Sequence, residues 1–418
     1  MADAIQPRPP YFEDSHPSRR PALKRTLGFW ALTLYGLGII IGAGIYVLVG
    51  EVAGRAGMTA PLAFLAAGVV AGLTGLSYAE LVARHPEAAG ATAFVSEAFG
   101  IRALSWLAGV ALIFVAIVAA ASIAKGAAGY LQQYLDAPRW LGGAAVVLIF
   151  TAIAGIGVTE SVRVAVIMTV IEIGGLVLIV VMASPALEAL PARVGELIPS
   201  EIAGWGGVFA GMFVAFFAFI GFDSLANMAE ETENVSRTLP RAILAAVGLS
   251  ALLYGIVALV SVFSLPPGEL MNHKAPLVAV LAQTGFPYSR HFAAVALIAT
   301  ANGVMIEIVL VARLAYGMAR RGLLPPWFSV VNPRTRTPLR ATLVGGGLVL
   351  ILVAVVPFSA LVSATSTVTL GVFALVNLSL ARLHMKNPRP DIAIRAPRWV
   401  PPLGALTCLA LIAAQMAG

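Results

Sequence analysis

The chain has 418 residues, 59% of them apolar and 11% charged, against about 45–50% and about 25% in soluble proteins. That balance excludes a soluble globular class and indicates an all-α integral membrane protein. One cysteine, Cys408, and five scattered histidines exclude a disulfide framework and a thiolate- or imidazole-ligated metal site. A net charge of +7 would suggest an acidic partner in a soluble chain; here it has a simpler cause, given below, and no nucleic acid is expected.

Residues 1–26 are Pro-rich and polar with no apolar stretch. They read as a cytoplasmic leader and not as a cleavable signal peptide. The first apolar segment, 27–52, is long enough to span a bilayer, which takes roughly 20 residues. It carries Gly36, Gly38, Gly42 and Gly44, each costing a helix interior about 1 kcal/mol relative to alanine. Two readings fit: close helix packing through small residues, or a break in the helix. A break at membrane depth survives only where it lines a cavity or is buried in protein.

Further spans are expected at about 60–83, 103–133, 140–157, 163–184, 205–229, 241–265, 290–318, 339–356, 359–383 and 400–416, giving about eleven. Under that scheme twenty Lys and Arg fall on one side and five on the other. This bias places the N-terminus in the cytoplasm of a multi-pass cell-membrane protein and accounts for the net charge. The sixth span contains Gly221 at mid-depth, followed by Asp223. It lies five spans after the first and therefore crosses in the opposite sense. Interrupted helices opening two such halves suggest inverted repeats, 27–184 and 205–383, with an eleventh helix at 399–418.

Two broken helices favour a transport site whose chemistry is supplied by the backbone. Free amides at Ala43, Gly44 and Ile45, at the positive end of the second half-helix, suit a carboxylate. Orphan carbonyls at Ile40, Phe217, Ala218 and Ile220 suit an ammonium group. Gly42 and Gly221 are the expected hinges. A small-molecule α-amino acid presents both charges a few ångströms apart, and no cofactor is needed.

The segments GIIIGAGIYVLVG (38–50), FFAFIGFD (216–223) with AEETENVSRTLPRAI after it, and YGMARRGLLPPWF (316–328) resemble the amino acid–polyamine–organocation superfamily. The likeness is to its bacterial amino-acid permeases, related to the cationic amino acid transporter branch, and runs from about Leu23 to Arg398. It implies the five-plus-five inverted-repeat fold of the leucine transporter with broken helices 1 and 6, and alternating access. It also implies that the backbone groups just named hold the substrate, with Phe217 as an aromatic gate. Many relatives have Ser or Thr where this chain has Ala43.

Ionisable residues inside spans are functional candidates by default. Proton-coupled relatives carry a lysine where this chain has Glu172, and that lysine stands in for a bound sodium ion. Because an apolar site disfavours a charged carboxyl, Glu172 is read as a proton carrier, a structural acid or a cation site. Glu307 lies about 16 Å above the cytoplasmic end of its helix, and Lys125 is expected to pair with Glu172 or Glu307. Glu80, Glu230 and Glu231 are expected to form salt bridges with Arg84, Arg237 and Arg241. The function expected is proton-coupled symport of an α-amino acid, with sodium the weaker candidate ion. The alternative is a cationic amino acid or polyamine carrier, or an exchanger, with Glu172 and Glu307 as counter-charge. An enzyme would need a nucleophile, metal cluster or phosphate loop at credible spacing, and none stands out; a channel would need a polar filter.

Overall fold

The computed structural model describes residues 27–85, 90–156, 161–335, 337–386, 392 and 394–417. The side chains of 43, 161–166, 203, 230, 231 and 417 lie outside that description. The expected leader, 1–26, and the expected bridges of Glu230 and Glu231 fall outside it too.

Among the described residues the architecture is helical, with one isolated parallel bridge between Leu27 and Thr232. The helices are α1 (Phe29–Ala43), α2 (Ile45–Ala56), α3 (Ala60–Arg84), α4 (Gly90–Phe99), α5 (Arg102–Leu131), α6 (Arg139–Ile156), α7 (Ser161–Ala183) and α8 (Leu190–Arg193). They continue with α9 (Trp205–Phe217), α10 (Val235–Ser264), α11 (Pro267–Asn272), α12 (Pro276–Gln283), α13 (Phe292–Arg320), α14 (Leu339–Val355), α15 (Phe358–Lys386) and α16 (Val400–Ala417). Eight helical stretches are long and apolar enough to cross a bilayer, and three apolar helices, Phe29–Gly42, Leu339–Val355 and Val400–Met416, are shorter. Most of each apolar stretch expected from the sequence falls on helix, Gly44 and 218–221 being the interior exceptions among the described residues.

The arrangement follows from where apolar surface can go. Outward-facing side chains such as Leu148, Ile171, Ile351 and Leu406 are 38–63% exposed, which suits contact with hydrocarbon. Inside, α3 lies along α10 and α5 along α13, while α1 is enclosed by α7, α10 and α13. An aromatic cluster fills the space beside α9: Phe222 lies 5.0 Å from Phe373 and 5.6 Å from Tyr78, centroid to centroid.

The two ends of the bundle are named here by the arginines that close α2 and α3. At the Arg84 end, the Glu80 carboxylate pairs with Arg84 at 2.6 Å, meets His384 Nε2 at 2.9 Å and accepts the Ala396 amide at 2.7 Å. This joins α3, α15 and the approach to α16. Arg382 Nε and Lys386 Nζ both donate to the Ala98 carbonyl at 2.9 Å, satisfying an acceptor in the last turn of α4. At the Arg55 end, Arg290 Nε donates to Gln133 O at 2.8 Å and the Tyr134 hydroxyl to Arg290 O at 2.9 Å.

Candidate functional site

Two helices are interrupted at the centre of the bundle, and the interruptions face each other. The first is a single residue. Gly44, with φ −108° and ψ −90°, separates α1 from α2. Its amide turns back to Ile41 O at 3.1 Å, while its carbonyl accepts from Val47 and Leu48, each at 3.1 Å. The second is longer. The segment 218–221 is not helical, Gly221 takes φ 114°, and a 3-10 helix follows over Phe222–Glu231. A side chain at that φ would be strained, so glycine is the residue the turn requires. The Asp223 carboxylate accepts the Gly221 amide at 3.3 Å.

Steric facts explain why the first break needs glycine. A Cβ on Gly44 would lie 2.6 Å from Ala218 Cβ and 2.8 Å from Ala218 O. Gly42 and Gly38 do a different job. A Cβ on Gly42 would lie 2.9 Å from Ala299 O, and one on Gly38 would collide with Thr169 Oγ1. Both readings of the glycine-rich segment therefore hold, at different residues: Gly38 and Gly42 permit packing and Gly44 makes the break. The expectation that the first half-helix ends near Ile40 is corrected, because α1 runs to Ala43.

The backbone groups are distributed as follows. The Ile40 carbonyl has lost its usual partner, since the Gly44 amide bonds Ile41 instead. Its hydrogen bond comes from the Tyr254 hydroxyl at 2.7 Å, and the same hydroxyl lies 3.1 Å from Ala218 O. Tyr254, on α10, thus bridges one carbonyl from each break. The Phe217 carbonyl accepts the Ile220 amide at 3.1 Å, so it is less free than the sequence suggests. Of the expected donors, the Gly44 amide is taken by Ile41 O, Ala43 closes α1, and Ile45 opens α2. Phe217, Ala218 and Ile220 are all buried.

A second layer surrounds the first break. Tyr46, in the opening turn of α2, donates its hydroxyl to the Glu172 backbone carbonyl at 2.6 Å, and Tyr130 donates to Tyr46 O. The Glu172 side chain is 0% exposed and accepts the Asn302 amide at 2.9 Å. A Cβ on Gly42 would lie 3.6 Å from its Oε1, so the acid abuts the last turn of α1. Glu307 is 3% exposed and within electrostatic reach of Asp223. The expected pairing of Lys125 with either acid is corrected: its ammonium donates to Val356 O, just past the end of α14. Terminal helix carbonyls attract cations, and this one lies nearer than either carboxylate. A half-open cavity of about 110 Å³ enters from the Arg55 end, lined by Glu51, Arg139, His273 and Lys274 among others, and reaches Tyr46 and Tyr130.

Tyr254 and Asn302 were missed in the sequence. The available signal was position, since each is a polar side chain near the middle of an apolar span.

A bundle interrupted twice at its centre, with a carbonyl from each break meeting at Tyr254, is an arrangement that transporters use. The profile of the family described as "Amino acid permease" matches residues 27–418. The chain belongs to the amino acid permease family. The branched-chain amino acid permease BcaP of Bacillus subtilis is 30% identical over 94% of this permease and 89% of its own length. The Cationic amino acid transporter 3, mitochondrial, of Arabidopsis thaliana is 32% identical over 89% of this permease and 64% of its own length. A Methylthioribose transporter of Bacillus subtilis is 28% identical over 94% of this permease and 88% of its own length. This permease is therefore a multi-pass membrane protein of an amino-acid-transporting family.

Proposed function

We propose that the permease takes up an α-amino acid across the cell membrane by alternating access, in symport with protons, with its N-terminus in the cytoplasm. The observation that carries this reading is the Tyr254 hydroxyl shared between Ile40 O and Ala218 O. It occupies a nest of acceptors into which an ammonium, with three donors, fits better than a phenol with one. The N-terminal turn of α2, opened by Ile45, would supply the carboxylate end. In this closed arrangement Gly44 abuts Ala218, and substrate entry requires the two breaks to part. The twenty-to-five division of Lys and Arg supports the orientation. The two repeats, 27–184 and 205–383, would rock against each other about the site.

Proton coupling is assigned to Glu172, the buried acid beside the end of α1. Each co-transported charge would draw about 2.3 kcal/mol per 100 mV of membrane potential. A second reading, a cationic substrate, has one observation in its favour. The buried acid Glu307 lies within electrostatic reach of Asp223, just past the second break, and similar proteins include a cationic amino acid transporter.

The test is uptake by purified protein in proteoliposomes, using radiolabelled L-leucine and L-arginine under an imposed pH gradient. Saturable leucine accumulation that collapses with a protonophore is expected. Accumulation driven only by sodium overturns the proton reading, arginine preference selects the cationic one, and non-saturating flux overturns the carrier.

A further inference from the structure

Glu172 and Asn302 are both 0% exposed. Only one of the two hydrogen bonds open to such a pair is made, from Asn302 Nδ2 to Glu172 Oε1 at 2.9 Å. The other oxygen of each group, Glu172 Oε2 and Asn302 Oδ1, is buried with no hydrogen-bond partner among the described residues. A buried acceptor without a donor loses its hydration and gains nothing in return. Two of them on one contacting pair mean that a donor is missing.

The surroundings do not supply it. Among the described residues Glu172 makes no ion pair. Two phenols face it: Tyr46 from α2 gives its hydrogen to the Glu172 backbone, and Tyr254 from α10 gives its own to Ile40 and Ala218. From α1 comes the Gly42 backbone, α12 contains no titratable residue, and Glu307 lies five residues farther along α13.

We propose that Asn302 is the second half of the proton site: a proton on Glu172 Oε2 is donated to Asn302 Oδ1, closing a two-bond acid–amide ring between α7 and α13. A carboxylic acid and a primary carboxamide each offer a donor beside an acceptor, so the two groups are complementary. One proton satisfies both orphans, and no further ligand is required. A metal cation at the same place would sit beside an N–H already directed at the carboxylate. The inference rests on the reading of Glu172 as proton carrier, and adds what holds the proton and what its departure does. When the proton leaves, a carboxylate confronts an amide oxygen and the ring opens. That event lies against Gly42, where Ala299 O and Glu172 Oε1 come within 2.9 Å and 3.6 Å of a Cβ position. Gly42 is two residues from the break at Gly44, so the state of the ring is transmitted to the hinge of α1. Asn302 acts here as a positioning residue.

Infrared difference spectroscopy of the purified full-length protein, titrated in choline chloride, reads neutral carboxyl groups directly. Glu172→Gln identifies the relevant C=O band by its loss. In Asn302→Leu the band is expected to move to the higher frequency of an unbonded acid. Asn302→Ala, which only removes atoms, should show the same shift and serves if the leucine variant does not fold. A Glu172 band at unchanged frequency in both variants overturns the role of Asn302 while leaving Glu172 as the carrier. No Glu172 acid band at any pH, together with a spectral response to sodium chloride, overturns both readings.

Discussion

Glu80 and Glu172 are carboxylates buried to 1% and 0% exposure, and the protein treats them in opposite ways. Glu80 is surrounded by donors: Arg84 Nε at 2.9 Å and Nη2 at 2.6 Å, the Ala396 amide at 2.7 Å, and His384 Nε2 at 2.9 Å. Glu172 has a single side-chain donor among the described residues, Asn302. A fully satisfied buried acid is a joint, and every change of its state costs energy. An acid left one hydrogen short has a state that the environment decides. On the proposed mechanism, the difference would separate the part of the permease that holds still from the part that moves.

The largest test of this contrast is Glu80→Ala. It removes the carboxylate that the buried Arg84 side chain, the Ala396 amide and His384 share, and should cost up to about 3–5 kcal/mol, seen as a lowered midpoint of thermal unfolding. Gly44→Val comes next. The added atoms meet Ala218 backbone at 2.8 Å, and overpacking of about 1–3 kcal/mol should weaken substrate binding roughly 10-fold or more. Isothermal titration of a variant that still inserts and purifies measures this; unchanged affinity would place the carboxylate site elsewhere. Tyr254→Phe leaves Ile40 O and Ala218 O without their shared donor. The substrate-free protein should lose about 1 kcal/mol, again by thermal unfolding.

The smallest effect on stability belongs to Glu172→Gln. Glutamine keeps an oxygen for Asn302 and strands no charge, so unfolding should stay within about 1 kcal/mol of the parent. Uptake by the same variant should lose its dependence on an imposed pH gradient while exchange continues. If Glu172→Gln unfolds as readily as Glu80→Ala, the two acids are alike and the contrast fails.

Much of this was legible in the sequence, for identifiable reasons. Apolar length located the helices because hydrocarbon leaves a chain few alternatives. Gly221 was legible because Asp223 follows it at depth. The first break was placed less well, since α1 stays helical through Gly38 and Gly42 and yields only at Gly44. Composition cannot distinguish a glycine that admits a neighbour from one that breaks a helix. The neighbour decides, and here it is Ala218, far along the chain. Lys125 was misassigned for the same reason, because the carbonyl it meets belongs to the end of α14. Tyr254 and Asn302 act through partners 214 and 130 residues distant, and no local pattern encodes such distances.

The Tyr254 hydroxyl has one hydrogen and two carbonyls within reach, at 2.7 Å and 3.1 Å. It cannot fully quiet both, so the clasp between the two breaks is frustrated. On the proposed mechanism, such a clasp would hold the two breaks together yet release readily. An arriving amino group, bringing three hydrogens, would turn that residual discontent into the pull that draws cargo in.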